Sequence, residues 1–182
     1  VYGHSKAAGE RAVRAVLGDH VILRTAWLYS AFGQNFVKTM LRLAGERPRL
    51  RVVADQYGSP TSAAEIAAAL AAIVERIAAG KGRWGTYHFT AAGAVSWHGF
   101  AEAIVAAAVP WRGAPPPVEA IATADYPTPA RRPANSVLDC RRLAEAYGIV
   151  ALPWQEGLAP VLAELFAAAA ATPPATPPAP AG

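Results

Sequence analysis

Val1-Tyr2-Gly3-His4-Ser5-Lys6-Ala7-Ala8-Gly9-Glu10 leads, through an Ala-rich stretch ending at Gly18, into the β-branched run Val21-Ile22-Leu23-Arg24. The first part reads as a helix over 4–17 and the second as a short buried strand of a parallel sheet. Residues four apart share a helix face, which sets Tyr2 and Lys6 side by side. A cation beside a phenol favours the phenolate, so such a tyrosine can trade a proton with a substrate oxygen near neutral pH. The spacing alone also occurs in exposed amphipathic helices. The segments that follow decide between the two readings.

Downstream, strand and helix signals alternate. Residues 34–45 read as a helix with apolar positions at Phe36, Met40, Leu41 and Leu43, and Leu50–Val53 as a strand. Ser62-Ala63-Ala64-Glu65 fits a capping box, opening a helix to about Ala79 with Gly80 as its stop. Gly85–Thr90 reads as a strand, Ser96 as the N-cap of a helix through Ala108, and Val118–Ala122 as a strand after the rigid Pro115-Pro116-Pro117 connector. Asp139 is a candidate cap for a short helix ending at Gly148, and Pro153–Ala170 is the last helix. The alternation indicates an α/β fold. The Ala-Thr-Pro repeats that follow are expected to be disordered.

The chain has 182 residues, a net charge of +4 and a single cysteine, Cys140. One cysteine excludes an internal disulfide and any cysteine zinc site, and a reducing cytoplasmic setting is the default. The arginines are dispersed, without a basic run interleaved with aromatics, so nucleic acid is not an expected partner. The apolar Ala63–Ala79 stretch is interrupted by Glu65, Glu75 and Arg76, so no membrane span is expected. The histidines His4, His20, His88 and His98 lack ligand spacing, and no serine stands in a nucleophile elbow.

Further strings occur in order: Arg24-Thr25-Ala26-Trp27-Leu28-Tyr29-Ser30, Phe32-Gly33-Gln34-Asn35-Phe36, Asp55-Gln56-Tyr57-Gly58-Ser59-Pro60-Thr61, and Ala130-Arg131-Arg132-Pro133-Ala134-Asn135-Ser136. Together with Tyr2 and Lys6, this series resembles the C-terminal two-thirds of dTDP-4-dehydrorhamnose reductases, which are extended short-chain dehydrogenase/reductases. The resemblance covers about residues 1–166. It implies the end of a doubly wound Rossmann-like parallel sheet with the Tyr-x-x-x-Lys helix in 1–54. A small α/β substrate-binding lobe, with some elements returning to the sheet, would occupy 55–166, and a disordered tail 167–182. No Gly-rich phosphate turn is present. The chain is therefore expected to be part of a longer protein and inactive alone.

The implied reaction is reduction of the C4 keto group of dTDP-4-dehydro-L-rhamnose by NADPH or NADH, giving dTDP-L-rhamnose. In it Tyr2 protonates the developing alkoxide, and Lys6 tunes the tyrosine and bonds the nicotinamide ribose. Thr25 would line the nicotinamide site through its backbone. On the substrate side the resemblance implies Trp27, its indole face over the deoxyhexose, with Asn35, Arg131, Arg132 and Asn135. Each has a plainer alternative. Trp27 could be a core residue at a strand-to-loop turn, Asn35 a helix cap, Arg24 half of a buried ion pair, and the arginine loop merely solvated, while the 55–61 loop, with the turn formers Gly58 and Pro60, is expected to be a structural loop entering the capped helix. Some family members hold magnesium between subunits through glutamates, but Ala64 stands where that carboxylate would be sought; Glu65 and Glu164 are the nearby candidates, and no metal is expected. A homodimer is admitted. The rival readings are another extended sugar-nucleotide epimerase or dehydratase and a non-catalytic regulatory binding protein of the same fold.

Overall fold

The computed structural model describes residues 2–130 and 132–171. Helix α1 (Tyr2–Val16) leads into strand β1 (Val21–Arg24), followed by the two-residue β2 (Leu28–Tyr29), helix α2 (Phe36–Glu46) and strand β3 (Leu50–Val53). Two more short strands, β4 (Tyr57–Gly58) and β5 (Thr61–Ser62), precede α3 (Ala63–Ala78), β6 (Gly85–His88) and β7 (Val95–Ser96). Then come α4 (Trp97–Ala107), the single turn α5 (Val109–Arg112), β8 (Val118–Ile121), α6 (Arg141–Tyr147) and α7 (Trp154–Ala171).

The α/β fold expected from the alternation is present. β1 pairs in parallel with β6, β2 with β5, and β3 with β8, while β4 and β7 are antiparallel. Parallel neighbours require crossover connections, and the helices between them supply these. β3, which a boundary at residue 54 groups with the first part of the chain, runs beside β8 from the later part.

Local chemistry explains several boundaries. Ser62 caps α3: its Oγ accepts from the Glu65 N–H at 3.2 Å, while Glu65 Oε2 accepts from the Ser62 N–H at 3.0 Å. This is the reciprocal capping box the sequence predicts. Ser96 Oγ likewise accepts from the Gly99 N–H at 3.0 Å and starts α4. α6 begins one residue later than the expected Asp139 cap would have it. Cys140 is the cap position, and Asp139 instead receives the Arg141 N–H and guanidinium. Gly148, at φ +70°, closes α6 in the left-handed conformation that glycine adopts without a steric penalty. α7 runs from Trp154 to Ala171, close to the helix read over Pro153–Ala170, so residues 167–171, which the domain division gave to the tail, are helical. The remainder of that tail lies outside the described residues.

Two apolar clusters hold the fold together. The larger joins Val37, Met40 and Leu41 of α2, Leu50 and Val52 of β3, Phe100 and Ile104 of α4, and Trp154, Leu158 and Leu162 of α7. The smaller packs Tyr87 and Phe89 against Ala69 and Ile73 of α3 and Leu143 and Tyr147 of α6. Each fully buried Leu, Ile or Phe contributes roughly 1.5–3 kcal/mol. α1 stands apart, because none of its residues is buried. Among the described residues, no helix is long and apolar enough to cross a membrane.

Candidate functional site

α1 is fastened to the sheet by polar contacts. Arg24, the last residue of β1, donates from Nε and Nη2 to the Glu10 carboxylate at 2.7 and 2.6 Å. Arg14 donates to Glu10 at 2.9 Å and to Thr86 Oγ1 at 2.8 Å. The guanidinium of Arg24, first by its hydrogen bonds, holds the Glu10 carboxyl below its ordinary range. This is the ion pair anticipated for Arg24, lying at the surface rather than buried.

These contacts fix the direction of the helix. Thr86 is the register partner of Ile22 in mid-strand, whereas Arg24 ends the strand. Moving from Arg14 to Glu10 along α1 therefore moves toward the carboxyl end of β1. At about 1.5 Å per residue, Tyr2 projects roughly 12 Å beyond Glu10. Tyr2 and Lys6 thus lie past the carboxyl end of the strand, where ligands sit in open α/β sheets. Both are exposed, and Lys6 Nζ is 5.5 Å from the centroid of the Tyr2 ring. Thr25, immediately after β1, is also exposed.

Trp27 sits at the turn between β1 and β2, with φ +50°. A bulky residue in the left-handed region is an outlier that persists only when its surroundings enforce it. Here they do. The indole stacks on Trp97, with centroids 3.5 Å apart and planes within 6°. A Cβ on Gly58 would lie 2.7 Å from Trp27 Cδ2 and nearer still to Cε2 and Nε1. Three adjacent ring atoms at such distances place Gly58 over the ring face, and Trp97 already fills the other. With both faces covered, the expectation of an indole face laid over a sugar is not met in this conformation. The indole edge carries Nε1, which donates to Ser136 Oγ at 2.9 Å.

Asn35 takes the capping role. Its Oδ1 accepts from the Lys38 N–H at 3.2 Å, and its Nδ2 donates to the Ser30 and Phe32 carbonyls at 2.8 and 3.3 Å. The 55–61 loop is structural, as expected. Asp55 accepts from the Thr123 N–H and hydroxyl, Gln56 donates to Thr123 Oγ1 at 3.0 Å, and Ser59 Oγ donates to the Gly93 carbonyl at 2.7 Å. Asn135 forms a bridge beside Tyr57, and its Oδ1 accepts from the Val137 N–H at 2.9 Å. Arg132 is exposed. Arg131 lies outside the described residues.

Sequence reasoning brought Trp27, Tyr57, Gly58 and the 130–136 loop to attention separately. It missed Trp97 and Ser136 as the groups that join them. Trp97 carries no signal beyond its position after the Ser96 cap, and Ser136 was visible only as the end of its string. A concavity of about 410 Å³, lined by Lys38, Leu41, Arg112 and Phe166 among others, lies between α2, α5 and α7. It shares no residue with Tyr2, Lys6 or the Trp27 cluster.

Residues 1–167 match the family model described as RmlD substrate binding domain. A dTDP-4-dehydrorhamnose reductase of Aggregatibacter actinomycetemcomitans is 50% identical over 161 residues, covering 87% of this chain and 55% of that protein. A crystal structure of a dTDP-4-dehydrorhamnose reductase from Bacillus anthracis, in complex with NADP, superposes with a TM-score of 0.78 at 36% identity, covering 90% of this chain and 54% of that one. An orthologous reductase structure from Clostridium acetobutylicum gives a TM-score of 0.80 at 34% identity, with 91% and 55% covered. The chain spans about half the length of the curated relatives it matches, nearer half than the two-thirds the resemblance implied.

Proposed function

The chain belongs to the RmlD substrate binding domain family, and on that premise we propose that it supplies the proton-donating helix and the sugar-nucleotide wall of a dTDP-4-dehydrorhamnose reductase. The substrate is dTDP-4-dehydro-L-rhamnose and the product dTDP-L-rhamnose. A cytoplasmic setting goes with this reading.

The observation that supports it best is the placement of α1. The Glu10–Arg24 pair aims the helix so that Tyr2 and Lys6 sit together beyond the carboxyl end of β1. There the Tyr2 hydroxyl gives its proton to the C4 oxygen as negative charge develops on it. The Lys6 ammonium stabilises the phenolate left behind.

The residues present fit one end of a nicotinamide cofactor. Lys6 is exposed and offers its ammonium to ribose hydroxyls, and Thr25 is exposed just past β1. When bound, NADPH or NADH supplies the hydride. The sugar-nucleotide side is assigned to the indole edge of Trp27, to Asn135, and to Arg132, whose guanidinium can hold diphosphate oxygens bidentately. Asn35 is not included, because its amide is committed to the α2 cap.

The test is to express the full-length reading frame containing this chain and to follow cofactor absorbance with dTDP-4-dehydro-L-rhamnose. Oxidation of NADPH or NADH dependent on that sugar nucleotide supports the proposal. Absence of turnover by a folded protein with both cofactors overturns it.

A further inference from the structure

We propose that Ser136 is a positioning residue that locks the arginine-bearing loop to Trp27 and so sets the width of the sugar-nucleotide site. The inference rests on the reading given under Proposed function. The Ser136 hydroxyl accepts from Trp27 Nε1–H at 2.9 Å and donates to the Tyr57 carbonyl at 2.9 Å. Its own N–H donates to the same carbonyl at 2.9 Å, while the Tyr57 N–H donates to the Ala134 carbonyl at 2.8 Å. One side chain therefore joins three segments far apart in the chain: the turn after β1, strand β4, and the loop that ends at 136.

Among the described residues, little else places the loop. Its described residues from Pro127 to Asn135 are all exposed. The Thr128 hydroxyl bonds within the loop, to the Ala130 carbonyl at 2.7 Å. No apolar side chain of this stretch enters either core cluster. Its position relative to Trp27 is set by the hydrogen bonds at 134–136.

Trp27 needs the same anchor. Gly58 and Trp97 fix the plane of the indole, but a ring between two flat surfaces can slide within its plane. The Nε1–H bond to Ser136 opposes that sliding. A displaced indole and loop would meet the sugar nucleotide at longer, poorer contact distances, which weakens its binding. Ser136 thus acts on the substrate through Trp27 and Arg132 without being required to touch it.

The test uses the full-length protein and three forms: wild type, Ser136→Ala and Ser136→Thr. Steady-state kinetics are measured with dTDP-4-dehydro-L-rhamnose and with the nicotinamide cofactor. Binding of dTDP is measured by calorimetry and the melting temperature is recorded. Ser136→Ala, which removes both hydrogen bonds of the hydroxyl, is expected to raise KM for the sugar nucleotide and Kd for dTDP about fivefold, the scale of about 1 kcal/mol of lost positioning. The value of kcat and the KM for cofactor should stay near wild type, and Ser136→Thr should restore both affinities. An unchanged sugar-nucleotide KM in an active enzyme overturns the inference and leaves the functional reading intact. Parallel loss of kcat, both KM values and melting temperature, without rescue by threonine, also overturns it, because that is the signature of a purely structural serine. A wild-type protein that does not reduce the substrate removes the functional reading and this inference together.

Discussion

Glu10 and Arg24 meet through two charge-assisted hydrogen bonds, of 2.7 and 2.6 Å, and in doing so they orient a helix that has no fully buried residue. The Arg24 side chain is 47% exposed, so the pair contributes little to global stability. Its consequence is directional. Glu10→Gln in the full-length protein should lower turnover about tenfold, equal to roughly 1.4 kcal/mol of barrier, while the melting temperature hardly moves. Kinetics and thermal melts of the same preparation check this.

The same pair gives a pH dependence. The Glu10 carboxyl is held below its ordinary 4.5 by the hydrogen bonds and charge of Arg24. Its contribution is therefore complete above that value and is lost as pH falls through the lowered one. Amide exchange in α1 should accelerate in that acid window before the α4 and α7 amides do. Simultaneous loss of protection in all three helices would contradict it.

At Gly58 the site has no room for a methyl group. Gly58→Ala drives a Cβ into the Trp27 ring, whose far side is closed by Trp97. Overpacking of this kind costs about 1–3 kcal/mol. The stacked indoles should part, and the exciton signal of the Trp27–Trp97 pair in circular dichroism should weaken along with the fall in melting temperature.

Tyr29 is 1% exposed, and among the described residues its hydroxyl has no hydrogen-bond partner. Burial, with the nearby Glu65 carboxylate, pushes that hydroxyl's ionisation far up, so it stays neutral. An unpaired buried hydroxyl carries its desolvation penalty without return. Tyr29→Phe should leave stability unchanged or raise it by up to about 1 kcal/mol. Denaturant unfolding measures this, and a clear loss of stability would contradict it.

The parts of the fold legible in the sequence are those written in neighbouring residues. The helix-to-strand passage from Tyr2 to Arg24, the Ser62–Glu65 capping box and the Ser96 cap each depend on residues within a turn or two of one another. The strands β2, β4, β5 and β7 were not legible. A two-residue strand shows no period, and each exists only because a distant partner meets it, as Tyr57 meets Ser96. α5 was missed because Pro110 reads as a stop, although proline is tolerated in a first helical turn. The site divides in the same way. Tyr2 and Lys6 share a helix face and could be paired on sight. The Trp27–Ser136 bond joins residues 109 positions apart, and its geometry leaves no local trace.

The most direct measurement is the turnover of Tyr2→Phe in the full-length protein, with dTDP-4-dehydro-L-rhamnose and NADPH at saturation. Loss of a positioned general acid predicts a fall of about 10²–10⁴-fold, with calorimetric binding of dTDP retained because the phenol is not part of the nucleotide wall. Near-normal turnover by the phenylalanine variant would contradict the account.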